Sequence, residues 1–147
     1  MSDFSYLKAY EVKAGQRAWF TFHEVEGKPA LECFPATEEN KSYYNALLSR
    51  SRKMARAARR GQMTAKMLQE NRAEDLELYP KHVLTGQWRV RDAGGNEVPF
   101  SPEDAEAFLR ALPGWLFDRL RTWCADPGTW VASDDIDEDD IEDTAGN

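Results

Sequence analysis

From residue 122 to residue 147 the chain carries nine acidic side chains and no Lys or Arg, while residues 41–69 carry eight basic ones and no Asp or Glu. This segregation limits which segments can supply a core. The formal net charge of -7 conceals it, because residues 1–121 taken alone carry +2. Blocks of like charge repel and stay solvated. The acidic stretch 134–147 is therefore expected to be a disordered tail: Ile136 and Ile141 are too sparse to offset the ordering entropy of so charged a segment. Residues 1–133 then read as one domain, and a domain of this size buries roughly two-thirds of its unfolded surface. Packing material is present, since all five Trp residues lie outside the basic stretch.

The segment from Gln16 to Phe34 alternates with strand periodicity. Ala18, Phe20 and Phe22 share one side, Trp19, Thr21 and His23 the other, and Glu26-Gly27-Lys28-Pro29 supplies a turn before Leu31 and Cys33 resume the pattern. This predicts a β-hairpin, which is marginal alone and must lie on helices or join a larger sheet. After Pro35, Thr37 reads as the N-cap of one long helix ending at Gly61. Its apolar stripe is Tyr44, Leu47, Leu48, Met54 and Ala58, and Arg50, Arg52, Lys53, Arg56, Arg59 and Arg60 occupy the other faces. Thr64 is placed to cap a second helix bearing Met67 and Leu68, continuing to Leu76 and Tyr79. Pro80 either kinks that helix or opens a short new one, which Gly86 ends.

Asp92-Ala93-Gly94-Gly95-Asn96 lies between Trp88-Arg89-Val90-Arg91 and Glu97-Val98-Pro99-Phe100, the pattern of a small second hairpin. Ser101, Pro102 and the acidic pair Glu103 and Asp104 form a helix start, with Ala105, Phe108, Leu109 and Leu112 as the buried stripe. Pro113-Gly114 breaks it. A last helix from Trp115 to Trp123 repeats Leu116, Phe117, Leu120 and Trp123 at helical spacing, and Asp126-Pro127-Gly128 stops it. The fold class expected is mainly α, of α+β type: a helical domain with an N-terminal hairpin, a small second hairpin and an acidic tail. One core is expected to unite Trp88, Phe100, Phe108, Leu112, Leu116, Phe117 and Leu120.

Catalytic signatures are missing. The chain has no GxxxxGK[ST], no GxGxxG after a strand, no HExxH and no GxSxG. His23 and His82 have no Ser or Cys partner near in sequence, so both read as structural or exposed, and the protein is expected not to be an enzyme. Cys33 and Cys124 form no CxxC and read as buried small hydrophobes in a reducing cytoplasm. A calcium loop needs a central Gly and flanking helices, and the string DDIDEDDIED has no Gly within it and no helix expected after it, so neither metal nor cofactor is expected. MSDFSYLKAYEVKAG contains no apolar signal core and no run approaches 18 apolar residues, which argues against export and membrane insertion. The basic helix is suited to phosphate contacts. Against nucleic acid stand the pI near 4.9 and the absence of aromatics between Met54 and Leu78 for base stacking. A membrane-surface helix is disfavoured because the apolar stripe thins to Ala where the charge is densest.

The run LYPKHVLTGQWRVRDAGGNEVPFSPEDAEAFLRALPGWLFDRLRTWCADP resembles the C-terminal part of tail assembly chaperones of long-tailed, non-contractile bacteriophages and related prophages. The residues that carry the resemblance are Val83, Gly86, Trp88, Val90, Asp92, Gly95, Val98, Pro99, Phe100, Ser101, Glu103, Ala105, Leu112, Pro113, Leu116, Phe117 and Leu120. ECFPATEENKSYYNALL and the preceding hairpin are similar to the N-terminal part of that family. Gln87 intervenes between Gly86 and Trp88, and Pro80 stands where the family continues a helix. The resemblance implies a non-enzymatic protein of the host cytoplasm. It would bind the tape-measure protein, recruit tail-tube subunits and be absent from the finished virion; self-association is compatible with that role. The expected partner-binding residues are Tyr44, Leu48, Arg52, Arg56, Arg59, Arg60, Met63 and Met67. The alternatives from other classes are a basic-helix nucleic-acid-binding or regulatory phage protein and a phage structural adaptor.

Overall fold

The computed structural model describes residues 2–62 and 71–135. The alternating segment forms the expected hairpin from β1 (Ala18–Thr21) and β2 (Ala30–Cys33), paired Ala18 to Cys33 and Phe20 to Leu31. Its turn is held by hydrogen bonds from Phe22 N to Pro29 O and from Lys28 N to Val25 O. The hairpin also gains a third strand. β3 (Leu84–Arg89) pairs antiparallel with β2, giving the order β1-β2-β3. Phe20, Leu31 and Trp88 thereby align on the face turned to the helices, while Trp19, Glu32 and Arg89 lie on the other.

The single long helix expected from Thr37 to Gly61 is two helices, α1 (Lys41–Arg50) and α2 (Arg52–Arg59). Ser51 separates them at φ -128° and ψ 99°, an extended conformation. Its carbonyl accepts from Ala55 N at 2.9 Å, so the helix restarts at once. The N-cap is Asn40, not Thr37. Asn40 Oδ1 accepts from Tyr43 N at 3.2 Å, and its amide donates to Pro35 O and His82 O at 2.8 and 3.0 Å. An amide can cap the helix and tie two distant carbonyls together, which a hydroxyl with one proton cannot. Gly61, at φ +66°, closes α2 as expected.

The cap expected at Thr64 and its helix with Met67 and Leu68 lie outside the described residues. α3 spans Arg72–Leu78 and widens into a π-helical turn over Tyr79–Val83. Pro80 causes the widening: it has no N–H to donate, and its ring crowds the carbonyl one turn back, so the turn opens without ending. Gly86 does not stop a helix here. It sits inside β3 at φ +105°, where β3 spends four residue steps from Leu84 to Trp88 against two on β2 from Cys33 to Leu31. Gln87, which separates Gly86 from Trp88, belongs to this bulge.

Trp88 therefore belongs to the main sheet, and the small second hairpin closes beyond it through an Arg91–Glu97 bridge and a Val98 N to Val90 O bond of 2.9 Å. α4 (Pro102–Ala111) starts as expected, with Ser101 Oγ accepting from Asp104 N at 3.1 Å. α5 (Gly114–Ala125) follows the Pro113 break. Asp126-Pro127-Gly128 does stop α5, but it also opens α6 (Pro127–Asp135), with Asp126 Oδ1 accepting from Gly128 N at 2.8 Å. The rest of the acidic stretch, residues 136–147, lies outside the described residues, and the expectation of disorder falls on it.

α5 lies at the centre of the packing. Leu116, Phe117, Leu120 and Cys124 from α5 join Trp130 of α6, Leu109 of α4, Leu47 of α1 and the sheet residues Leu31 and Cys33 in one buried cluster. Trp88, Phe100, Phe108 and Leu112 pack against it half-buried, with Trp88 edge-on to both Phe100 and Phe108 at ring separations of 5.2 and 5.9 Å. Cys33 and Cys124 are both buried and form no disulfide.

Candidate functional site

The expected partner-binding residues divide into three groups. Arg52, Arg56 and Arg59 recur at i, i+4 and i+7, so they share one exposed face of α2, and Arg60 follows in the exposed turn after it. No carboxylate among the described residues pairs with any of these four. Tyr44 and Leu48 lie one turn apart on α1 but are half-buried, because the face that α1 turns to the core is the neighbouring one, bearing Tyr43 and Leu47. Met63 and Met67 lie outside the described residues. The structure thus gathers the arginines on one face and leaves Tyr44 and Leu48 partly exposed beside the buried Tyr43 and Leu47.

What holds α1 and α3 against α5 is a buried polar network. Tyr43 of α1 donates its hydroxyl proton to Asp75 Oδ1 at 2.7 Å, and Arg121 Nε of α5 donates to Asp75 Oδ2 at 2.7 Å. Asp75 is 2% exposed. Arg121 also reaches Asp118 Oδ1 at 3.0 Å, and Arg72 of α3 clamps the same Asp118 with Nε at 2.9 Å and a second guanidinium nitrogen. Burial pushes the Asp75 carboxyl above its ordinary value, with Arg121 and Tyr43 pulling the other way. Burial and the adjacent Asp75 raise the Tyr43 hydroxyl, so it stays protonated and remains a donor. The hydrogen bonds from Arg72, followed by those from Arg121, hold Asp118 below the usual carboxylate range despite partial burial.

This network was not foreseen from the sequence. Asp75 hides in the acidic run Glu74-Asp75-Leu76-Glu77, which reads as a solvated face. The available signal was Arg121, four residues after Phe117 and three before Cys124, an arginine set within an apolar stripe.

The structure also exposes apolar surface near the N-terminus. A 3-10 helix over Ser5–Tyr10 carries no buried residue. With three residues per turn, Phe4, Leu7 and Tyr10 fall in one row along this element. Phe4, Tyr6, Leu7 and Tyr10 are each more than half exposed; among the other large hydrophobic side chains of the described residues Trp115 is comparably open and Trp19 less so. An open groove of about 1220 Å³ runs between the β1–β2 turn and the second hairpin, lined by Trp88, Phe100 and Phe108 together with charges of both signs. No group of three or more His, Cys, Asp or Glu among the described residues is arranged to hold a metal. No helix among them is long and apolar enough to cross a membrane.

The molecule so defined is a mainly helical α+β domain that packs α5 against a three-stranded antiparallel sheet and, among the described residues, leaves the arginine-bearing face of α2 and an apolar 3-10 segment exposed. The chain belongs to the YdaY prophage protein family, whose model matches residues 38–147, from just before α1 through the acidic stretch. No curated protein and no solved structure matches it.

Proposed function

We propose that this prophage protein is a non-enzymatic tail assembly chaperone that binds the tape-measure protein in the host cytoplasm and recruits tail-tube subunits to it. Family membership supports a phage setting, and the motif residues from Val83 to Leu120 resemble chaperones of that kind. The observation that carries the reading is the exposed apolar row Phe4, Leu7 and Tyr10 on a chain that also presents the exposed arginines of α2, which pair with no carboxylate among the described residues. A holdase for long amphipathic helices needs apolar contact area to shield the client and charge to keep the complex soluble. Co-expression with the tape-measure protein of the same prophage tests it. Co-purification and a soluble client are expected, and a client that aggregates equally with and without the protein overturns the reading.

A second reading rests on α2 alone. Exposed arginines with no carboxylate partner among the described residues are also suited to a polyphosphate, and a phage nucleic-acid-binding protein would show salt-sensitive retention of DNA or RNA with no protein partner present.

A further inference from the structure

We infer that the basic face of α2 is a docking site for this chain's own acidic segment, residues 136–147, so that the free protein covers its arginines with its own carboxylates. This inference does not depend on the chaperone reading.

Four observations converge on it. Arg52 and Arg56 stand at i, i+4, and Arg56 and Arg59 at i, i+3, spacings at which like charges repel. Among the described residues no carboxylate compensates these three arginines, whose charge is relieved only in part by the helix C-terminus beneath Arg56 and Arg59. The carboxylates of the neighbouring elements are already engaged: Glu74 and Glu77 with Arg50, Asp75 with Arg121, and Asp118 with Arg72 and Arg121. The densest remaining store of negative charge is Asp137, Glu138, Asp139, Asp140, Glu142 and Asp143, a segment without a single cation. Finally, α6 ends at Asp135 with Trp130 locked in the core, where its indole donates to Cys124 O at 2.8 Å. The twelve following residues span at most roughly 40 Å when extended, against a radius of gyration of about 15 Å for a domain of this length. The arm is long enough to cross the body.

The chemistry sets the character of the contact. Each exposed Arg–carboxylate pair is weak and screened by salt, so the arm binds through several pairs together and detaches as ionic strength rises. A partner must then offer either more charge or additional apolar contact to take its place. The arm thereby works as a filter against weak polyanions.

The test uses the full chain. Ala145→Cys carries a nitroxide, to which the buried Cys33 and Cys124 do not compete, and the amide signals of residues 52–60 are read in the isotope-labelled protein. At low salt, about 20 mM, those amides should lose intensity, and at about 500 mM the loss should disappear. It should also disappear when Arg52→Gln, Arg56→Gln and Arg59→Gln are combined. The inference is overturned if the α2 amides keep full intensity at low salt, or if the glutamine variant is broadened as strongly as the parent. It is equally overturned if broadening appears only when spin label and isotope are on different molecules, since the contact would then join two copies.

Discussion

Arg121 interrupts the apolar side of α5, yet its guanidinium is almost fully enclosed and bonded to Asp75 and Asp118. Taking away one partner of such a pair leaves the other charge buried without compensation, which costs about 3–5 kcal/mol. Arg121→Ala should lower the unfolding free energy obtained from urea denaturation by that order, and Asp75→Asn combined with Arg121→Met should recover part of the loss. Equal stability of Arg121→Ala and the parent would show that the network contributes nothing. Asp118 gives a pH signature. Its folded-state pKa lies below the ordinary value of 3.8 because Arg72 and Arg121 donate to its ionised form. Its contribution is therefore complete above that value and is lost as the pH falls through the lower, folded-state value. Asp118→Asn should be less stable than the parent near neutrality, and the gap should close on acidification below the ordinary carboxylate range. A gap independent of pH across that window would assign the effect to packing.

At the scale of elements, β3 depends on Gly86, whose φ of +105° is a conformation that residues with a Cβ rarely adopt. No neighbouring atom would obstruct a Cβ there, so the cost of Gly86→Ala is conformational, roughly 1–3 kcal/mol. Thermal unfolding measures it, and a wild-type melting temperature would mean that β3 relaxes to another register. Phe117→Ala, in the middle of α5, should cost about 3–5 kcal/mol, because a fully enclosed ring leaves a cavity; chemical denaturation is the check. The same two elements show what the sequence makes legible. Leu116, Phe117 and Leu120 recur at a helical period and were placed in the core correctly, as were the β1–β2 alternation and the cap at Ser101. Such signals are local, set by the periodicity of each element. β3 was missed because its partner β2 lies more than fifty residues earlier, and Gly86 marks a bulge only once that pairing exists. For the same reason Tyr43 and Asp75 could not be foreseen: their role follows from α1, α3 and α5 meeting in space. The arginines of α2 were legible because exposure and charge need no partner to be recognised. The apolar row at Phe4, Leu7 and Tyr10 carries no signal at the 3.6-residue period of an α-helix, because this element follows a period of three.

On the scale of the whole molecule, the two open features differ in kind, so they can be separated by experiment. The row Phe4, Leu7 and Tyr10 makes no contribution to the core. Phe4→Ser with Leu7→Ser should therefore leave the melting temperature at its parental value, since exposed side chains away from structural features change stability by only about 0.5 kcal/mol or less. On the chaperone reading, the same substitutions should reduce co-purification of the tape-measure protein at every ionic strength, because buried apolar area is not screened by salt. Arg56→Glu with Arg59→Glu should also spare the fold but reduce capture most at low salt, where charge attraction is strongest. If both pairs of substitutions leave capture intact, neither surface is the client site, and the groove between the β1–β2 turn and the second hairpin becomes the place to look. If the serine variant alone loses the client, the apolar row grips it and α2 is left to the acidic arm. The reverse result would make α2 the main contact, with displacement of that arm as the first step of binding.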